Sequence, residues 1–156
     1  MKKEFYLILP NIRSCHNVGA MFRTGDACGV DQIFLVGYTP VPPRPEIDKV
    51  ALGAETWMKW EQKKNLKIFV KNLKKKGVQI VALEKTEVSE DIGAVDFTFP
   101  LALIVGNEVD GVEPDILELC DRVVHIPMLG RKQSLNVSIA AGIGMYVIGQ
   151  KRQNLV

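Results

Sequence analysis

Three short stretches hold most of the residues able to do chemistry in an otherwise apolar chain. The first is Asn17-Val18-Gly19-Ala20-Met21-Phe22-Arg23-Thr24-Gly25-Asp26-Ala27-Cys28-Gly29, which sets one arginine among small and apolar neighbours. A guanidinium is a planar fork of donors that aligns a phosphate or carboxylate through two parallel hydrogen bonds. The small residues predict a helix able to lie close against its neighbours, and Asn17 is placed to cap it. Arg23 either pairs with Asp26 on the surface, for little energy, or has a buried or ligand-facing role. The small, apolar surroundings favour the second.

The second stretch is Gly106-Asn107-Glu108-Val109-Asp110-Gly111, directly after the apolar run Leu101 to Val105. Ligands of parallel sheets bind just beyond the carboxyl ends of the strands, so a glycine turn here is a cofactor candidate. It is neither a P-loop nor a dinucleotide fingerprint, which disfavours a generic nucleotide-binding domain. The third runs from Ile126 through Gly130-Arg131-Lys132-Gln133-Ser134-Leu135-Asn136-Val137-Ser138 to Ala141. Ser134 reads as the N-cap of a helix from Leu135 to about Lys151, almost free of charge along that length. A helix so apolar must pack on all sides, against the domain or a second subunit. Ser134 is not a hydrolytic nucleophile, because GxSxG is absent and neither His16 nor His125 has a triad context. No spacing of ligands supports a metal site, so none is expected.

The elements that must position these stretches alternate. Phe5 to Leu9, Ile33 to Val36, Val78 to Leu83, Leu101 to Val105 and Val123 to Ile126 read as strands. They are continuous apolar runs, as strands covered on both faces should be. Helices are predicted over Asn17 to Cys28, Asn65 to Lys76, Pro114 to Cys120 and the terminal stretch. In the second of these Leu66, Phe69, Val70 and Leu73 form one helical face, and Gly77 ends it. The order predicts an α/β domain with a mainly parallel sheet and helices on both faces. Gly37 to Glu46 holds four of the eight prolines and reads as a stiff surface excursion.

At 156 residues the chain fits a single domain, 1–156, and is 47% hydrophobic and 24% charged, which argues against disorder. Cys15, Cys28 and Cys120 are odd in number with no CxxC spacing, so reduced thiols are expected rather than a disulfide framework. The start Met1-Lys2-Lys3 is followed by an apolar run too short for a signal peptide, and a soluble, cytoplasmic protein is expected. The net charge of +2 is a sum of opposed regions. Lysines crowd 59–76, whereas Glu108, Asp110, Glu113, Asp115, Glu118 and Asp121 form an acidic stretch. A lysine-rich helix is usually a solvated face, and it becomes an RNA contact where other features point to RNA.

Taken in order, the three stretches resemble the three motifs of the SpoU/TrmH family of SPOUT RNA 2'-O-ribose methyltransferases. Asn17 to Gly29 is similar to motif one, Leu103 to Gly111 to motif two and Ile126 to Ala141 to motif three. Gly37-Tyr38-Thr39-Pro40 and Ala51-Leu52-Gly53-Ala54-Glu55 resemble the segment between motifs one and two. The resemblance implies a parallel α/β fold with a deep C-terminal trefoil knot, a threading that composition and periodicity do not reveal. It implies S-adenosylmethionine as cofactor, held by Leu83, Gly106, Ile126, Met128 and Leu135. It also implies a homodimer in which motif one of one subunit completes the other's site.

The implied chemistry is methyl transfer to a ribose 2'-hydroxyl of RNA, with tRNA ahead of rRNA. Arg23 would act as the base or, because a guanidinium is normally charged, as a clamp on the phosphate beside the target ribose. Asn17, Glu108, Ser134 and Asn136 would orient Arg23 and the ribose. The alternatives are an rRNA 2'-O-methyltransferase and a catalytically inactive knotted RNA-binding module. The joint presence of Asn17, Arg23, Glu108, Ser134 and Asn136 argues against the second. Arg13, Arg44, Arg131, Lys132 and the segment 59–76 are the candidate RNA surface. The sequence departs from the family pattern at Val109, Val112 and Gly25, where glycine, leucine and alanine are frequent.

Overall fold

The computed structural model describes residues 3–155; Met1 and Lys2 of the basic start, and Val156, lie outside the described residues. The elements in chain order are β1 (Phe5–Pro10), α1 (Cys15–Ala27), β2 (Gln32–Val36), α2 (Pro45–Ala51), α3 (Ala54–Trp57), β3 (Lys59–Lys63) and α4 (Leu66–Lys75). There follow β4 (Gln79–Leu83), β5 (Glu90–Asp91), β6 (Leu101–Val105), α5 (Pro114–Leu119), β7 (Arg122–His125) and α6 (Val137–Gln153). The strands form one sheet in the order β3-β2-β1-β6-β4-β7-β5, and every pairing among them is parallel. Parallel strands need covered faces, and this sheet has a helical layer on each.

Successive residues of each strand feed opposite layers. Leu7 and Leu9 join Val18, Met21, Phe22, Ile47 and Met145 beneath α1, α2 and α6, whereas Ile8 meets Val70, Leu73 and Ile116 beneath α4 and α5. The central strand β6 is buried at all five positions, which is why its sequence is an unbroken apolar run. Val70 and Leu73 anchor α4, each stabilising by about 1.5–3 kcal/mol, and leave its lysines in solvent.

Several boundaries differ from expectation for identifiable reasons. Ser14, not Asn17, caps α1: Ser14 is extended (φ −92°, ψ 119°) and its hydroxyl accepts from Asn17 N–H at 3.1 Å. Asn17 therefore sits inside the helix, with its amide free for another partner. Asn136, not Ser134, caps α6, accepting from Ser138 N–H at 2.9 Å, so the helix begins at Val137 rather than Leu135. The proline-rich excursion is shorter than expected, because Pro45 opens α2 at a position where a missing N–H costs nothing. Strand β3 was hidden by its charge: it is an edge strand paired only to β2, with Lys59, Glu61 and Gln62 exposed.

Helix α6 is held at several points along its length. A Cβ on Gly144 would come within 3.2 Å of Leu83 and 3.8 Å of Ile92. Lys151 donates to the carbonyls of Gly93 and Val95, at 3.1 and 2.6 Å, and Arg152 donates to Asp31 Oδ2 at 2.9 Å. The expectation of packing on every side is not met within one chain. Ile139, Ile143 and Tyr146, at i, i+4 and i+7, are 54%, 38% and 61% exposed. One helical stripe thus remains apolar and uncovered.

Candidate functional site

The carboxyl ends of β6, β4 and β7 are adjacent in the sheet and open onto a cleft of about 500 Å³. Its walls come from the end of β4, the loop after β6 and the segment between β7 and α6. Leu83, Gly106, Ile126, Met128 and Leu135 all line it, and so do Glu108, Ser134 and Asn136. Residues spread over more than 50 sequence positions are thereby brought to one place by three parallel strands. Arg23 and Asn17 are not among the lining residues of the single chain.

Glu108 joins the cleft to motif one. Its Oε1 accepts from Arg13 N–H at 2.8 Å, and its Oε2 accepts from Ser14 N–H at 3.0 Å and from the Asn17 amide at 3.1 Å. Partial burial pushes the Glu108 carboxyl up, but the N–H groups of Arg13, Glu108 and Ser14 with the Asn17 amide outweigh it and hold the group below its ordinary range. An anion there also faces the amino end of α1, where the free N–H groups of the first turn favour negative charge. Glu108 thus holds the start of α1, the helix that carries Arg23, through two backbone N–H groups and the Asn17 amide.

The loop itself is drawn tight. Asn107 and Gly111 exchange backbone hydrogen bonds at 3.1 and 3.0 Å, and a Cβ on Gly106 would lie 2.7 Å from Gly111 Cα. Gly111 has φ +67°, which favours glycine. Asn107 Oδ1 closes the turn by accepting from Val109 and Asp110 N–H at 2.8 and 3.1 Å. Val109 stands exposed in this turn and lines the cleft, so the departure from glycine there is accommodated without burial.

Three contributors to the cleft were not foreseen. Glu84, the residue after β4, accepts from Val112 N–H at 2.8 Å and so fixes the far end of the loop. Lys85 donates to Gln133 at 2.8 Å, tying the β4 end to motif three. Asn107 donates to Asn11 O and to the Tyr38 hydroxyl, linking motif two to the β1 and β2 ends. A polar residue at a strand terminus is too common a pattern to have marked any of them.

Arg23 is exposed on α1 and has no hydrogen-bonding or ionic partner among the described residues. The surface pair with Asp26 does not form; Asp26 instead accepts from Trp57 Nε1 at 2.9 Å. His125 lines the cleft with its Nδ1 2.8 Å from Ser89 Oγ, and no serine–histidine–acid array involves Ser134. All three cysteines are free, and burial pushes the Cys120 thiol up to about 12, far from a reactive thiolate. Among the described residues no group of His, Cys, Asp and Glu is placed to hold a metal ion, and no helix is long and apolar enough to cross a membrane.

Comparison with known proteins gives this geometry its setting. The chain is 36% identical over 153 residues to a tRNA (guanosine(18)-2'-O)-methyltransferase of Aquifex aeolicus, covering 97% of this chain and 72% of that protein. It superposes with a TM-score of 0.89, at 30% identity, on an AdoMet-bound rRNA methyltransferase from Sinorhizobium meliloti, covering all of this chain and 58% of that one. The A. aeolicus TrmH/SpoU tRNA modifying enzyme superposes with a TM-score of 0.88 at 34% identity, covering 99% of this chain and 78% of that one. Residues 4–146 match the model of the SpoU rRNA Methylase family, which takes in all three motifs and the cleft they build. The chain belongs to the SpoU rRNA Methylase family.

Proposed function

We propose that this chain is an S-adenosylmethionine-dependent RNA 2'-O-ribose methyltransferase that acts on tRNA and works as a homodimer in the cytoplasm. The observation that carries the reading is the cleft, where the five residues expected to hold the cofactor meet Glu108, Ser134 and Asn136. Its lining suits the cofactor. Leu83, Ile126, Met128 and Leu135 offer an apolar slot for an adenine ring, and Gly106 leaves backbone groups open at its edge. The name of the A. aeolicus relative supports tRNA as substrate. The family's C-terminal knot belongs to the same proposal, and the bonds from Lys151 to Gly93 and Val95 suit a helix threaded beneath that segment.

When bound, the cofactor supplies an electrophilic methyl group on a sulfonium. The chain's own residues must present a ribose hydroxyl, a weak nucleophile until its proton is taken or its oxygen is aligned. Ser134 and Asn136 stand in the cleft as short polar groups able to hydrogen-bond the ribose. Asn136 spends its Oδ1 on the N–H and hydroxyl of Ser138, which leaves its amide NH₂ as the free donor. Arg23 remains outside the cleft lining of its own chain, and the uncovered stripe Ile139–Ile143–Tyr146 asks for a second copy. Both support a dimer in which Arg23 of the partner subunit completes the site, clamping phosphate or accepting the proton. Glu108 fixes the helix that carries Arg23.

The test uses labelled S-adenosylmethionine with wild type and Arg23→Ala, and with tRNA and rRNA offered separately. The variant is expected to keep cofactor affinity and lose methyl transfer; unchanged turnover would overturn the role of Arg23. Transfer to rRNA alone would overturn the tRNA assignment, and failure to bind the cofactor would favour an inert RNA-binding module.

A further inference from the structure

Asn107 and Gly111 line both the cleft and a second cavity of about 480 Å³, which lies beyond the carboxyl ends of β1 and β3. Tyr38 stands in its wall, 62% exposed, yet its side chain is tethered through the hydroxyl and its backbone through the N–H. The Tyr38 hydroxyl accepts from Asn107 Nδ2 at 3.0 Å, and its N–H donates to Asn11 Oδ1 at 3.1 Å. Asn11 holds φ +52°, a left-handed conformation that asparagine adopts more readily than other non-glycine residues, and its carbonyl accepts from the same Asn107 amide. An aromatic ring fixed in solvent has already lost the freedom that stacking would otherwise remove.

The charges around it are unspent. Asp110, Glu113 and Lys64 line the cavity without a side-chain partner among the described residues, whereas Asp115 is taken by Lys67 at 3.8 Å. Carboxylates accept from amino and imino groups, a lysine takes a phosphate, and a tethered ring stacks on any base. One ligand combines those three features.

The geometry points to a second subsite that seats one unpaired nucleotide of the RNA substrate, its base on Tyr38, its donor edge on one carboxylate of the Asp110–Glu113 pair and its phosphate on Lys64. Guanine fits best, because its N1–H and 2-amino group are parallel donors that match the two oxygens of one carboxylate. Uracil offers one imino donor between two carbonyls, and a carboxylate repels those. The subsite rests on the RNA reading above, and its shared wall with the cleft places this nucleotide beside the one whose ribose is methylated.

Two measurements test it. Binding of an unmodified tRNA transcript is followed by fluorescence anisotropy for wild type, Tyr38→Ala and Tyr38→Phe, with cofactor affinity of each measured by calorimetry. Tyr38→Ala is expected to weaken RNA binding by about 5- to 150-fold, the range of one lost base stack. Tyr38→Phe keeps the ring but loses the hydroxyl tether to Asn107, so its RNA affinity should fall between wild type and Tyr38→Ala, and both variants keep cofactor affinity. Separately, 5'-GMP should shift the backbone amide resonances of Tyr38 and Asp110 more than 5'-UMP does, and the double variant Asp110→Asn, Glu113→Gln should abolish that difference. Unchanged RNA binding by Tyr38→Ala, a parallel loss of cofactor affinity, or equal responses to the two nucleotides would overturn the subsite and leave the methyltransferase reading standing. A wild type that methylates no RNA would overturn that reading instead, and the nucleotide titration would still decide the cavity.

Discussion

Glu108→Gln removes one charge and one acceptor from the joint between α1 and the loop after β6. The carboxylate takes three donors, at 2.8, 3.0 and 3.1 Å, on its two oxygens. A glutamine presents one oxygen, and its NH₂ group is left facing an N–H. A charge-assisted hydrogen bond contributes about 1.5–3 kcal/mol, and an acid at a helix amino end about 0.3–1 kcal/mol. Glu108 is exposed, so solvent screening reduces both, and the expected net loss is about 1–2 kcal/mol. Urea unfolding should show this as a lower midpoint at unchanged slope.

The pH dependence gives that prediction a sign. The folded-state carboxyl lies below its ordinary value of 4.5, so its stabilisation is full above that value and is lost as pH falls through the folded value. The difference between wild type and variant should therefore shrink below about pH 4.5. Because the joint positions α1, methyl transfer should fall by tenfold or so, on the scale of 1.4 kcal/mol per decade, with cofactor affinity nearly unchanged. An equal midpoint at pH 7, or a difference constant down to pH 3, would show that the Glu108 carboxylate does not stabilise this joint.

Other consequences are simpler to read. Gly25→Ala should stabilise by about 0.5–1 kcal/mol, because α1 is helical there and the added Cβ would meet only ordinary contacts at 3.6–3.7 Å. Gly19→Ala, in the same helix, should destabilise, since its Cβ would sit 2.5 Å from the Ile47 carbonyl; thermal unfolding that ranked the two variants the other way would contradict the packing of α1 on α2. Ile143→Glu places a charge in the uncovered stripe of α6 and should shift sedimentation toward monomer with the fold retained. A variant that sediments like wild type would contradict the proposed pairing of two copies through this stripe.

The sequence revealed what depends on local pattern. Continuous apolar runs marked the four mostly buried strands β1, β2, β4 and β6 and the half-buried β7, and the face of Leu66, Phe69, Val70 and Leu73 marked α4. Strand β3 escaped because it borrows its place from β2 and buries little itself. The caps slipped by two or three residues because Ser14, Asn17, Ser134 and Asn136 are all competent cap types, and only backbone geometry chooses among them. At the site, residue types named the cleft, but not the bonds that shape it. That Glu108 grips backbone N–H groups, that Glu84 holds Val112 and that Asn107 spans two cavities are consequences of three strands ending side by side. No spacing along the chain encodes that coincidence.

A cleft built this way should direct a methyl group to a ribose 2'-oxygen. Alkali cleaves RNA through its 2'-hydroxyls and therefore spares only the linkage that follows a 2'-O-methylated nucleotide. The most direct measurement is alkaline hydrolysis of tRNA after incubation with the protein and methyl-labelled S-adenosylmethionine. The label should run as an alkali-resistant dinucleotide; label recovered in mononucleotides would place the methyl on a base and rule out 2'-O transfer.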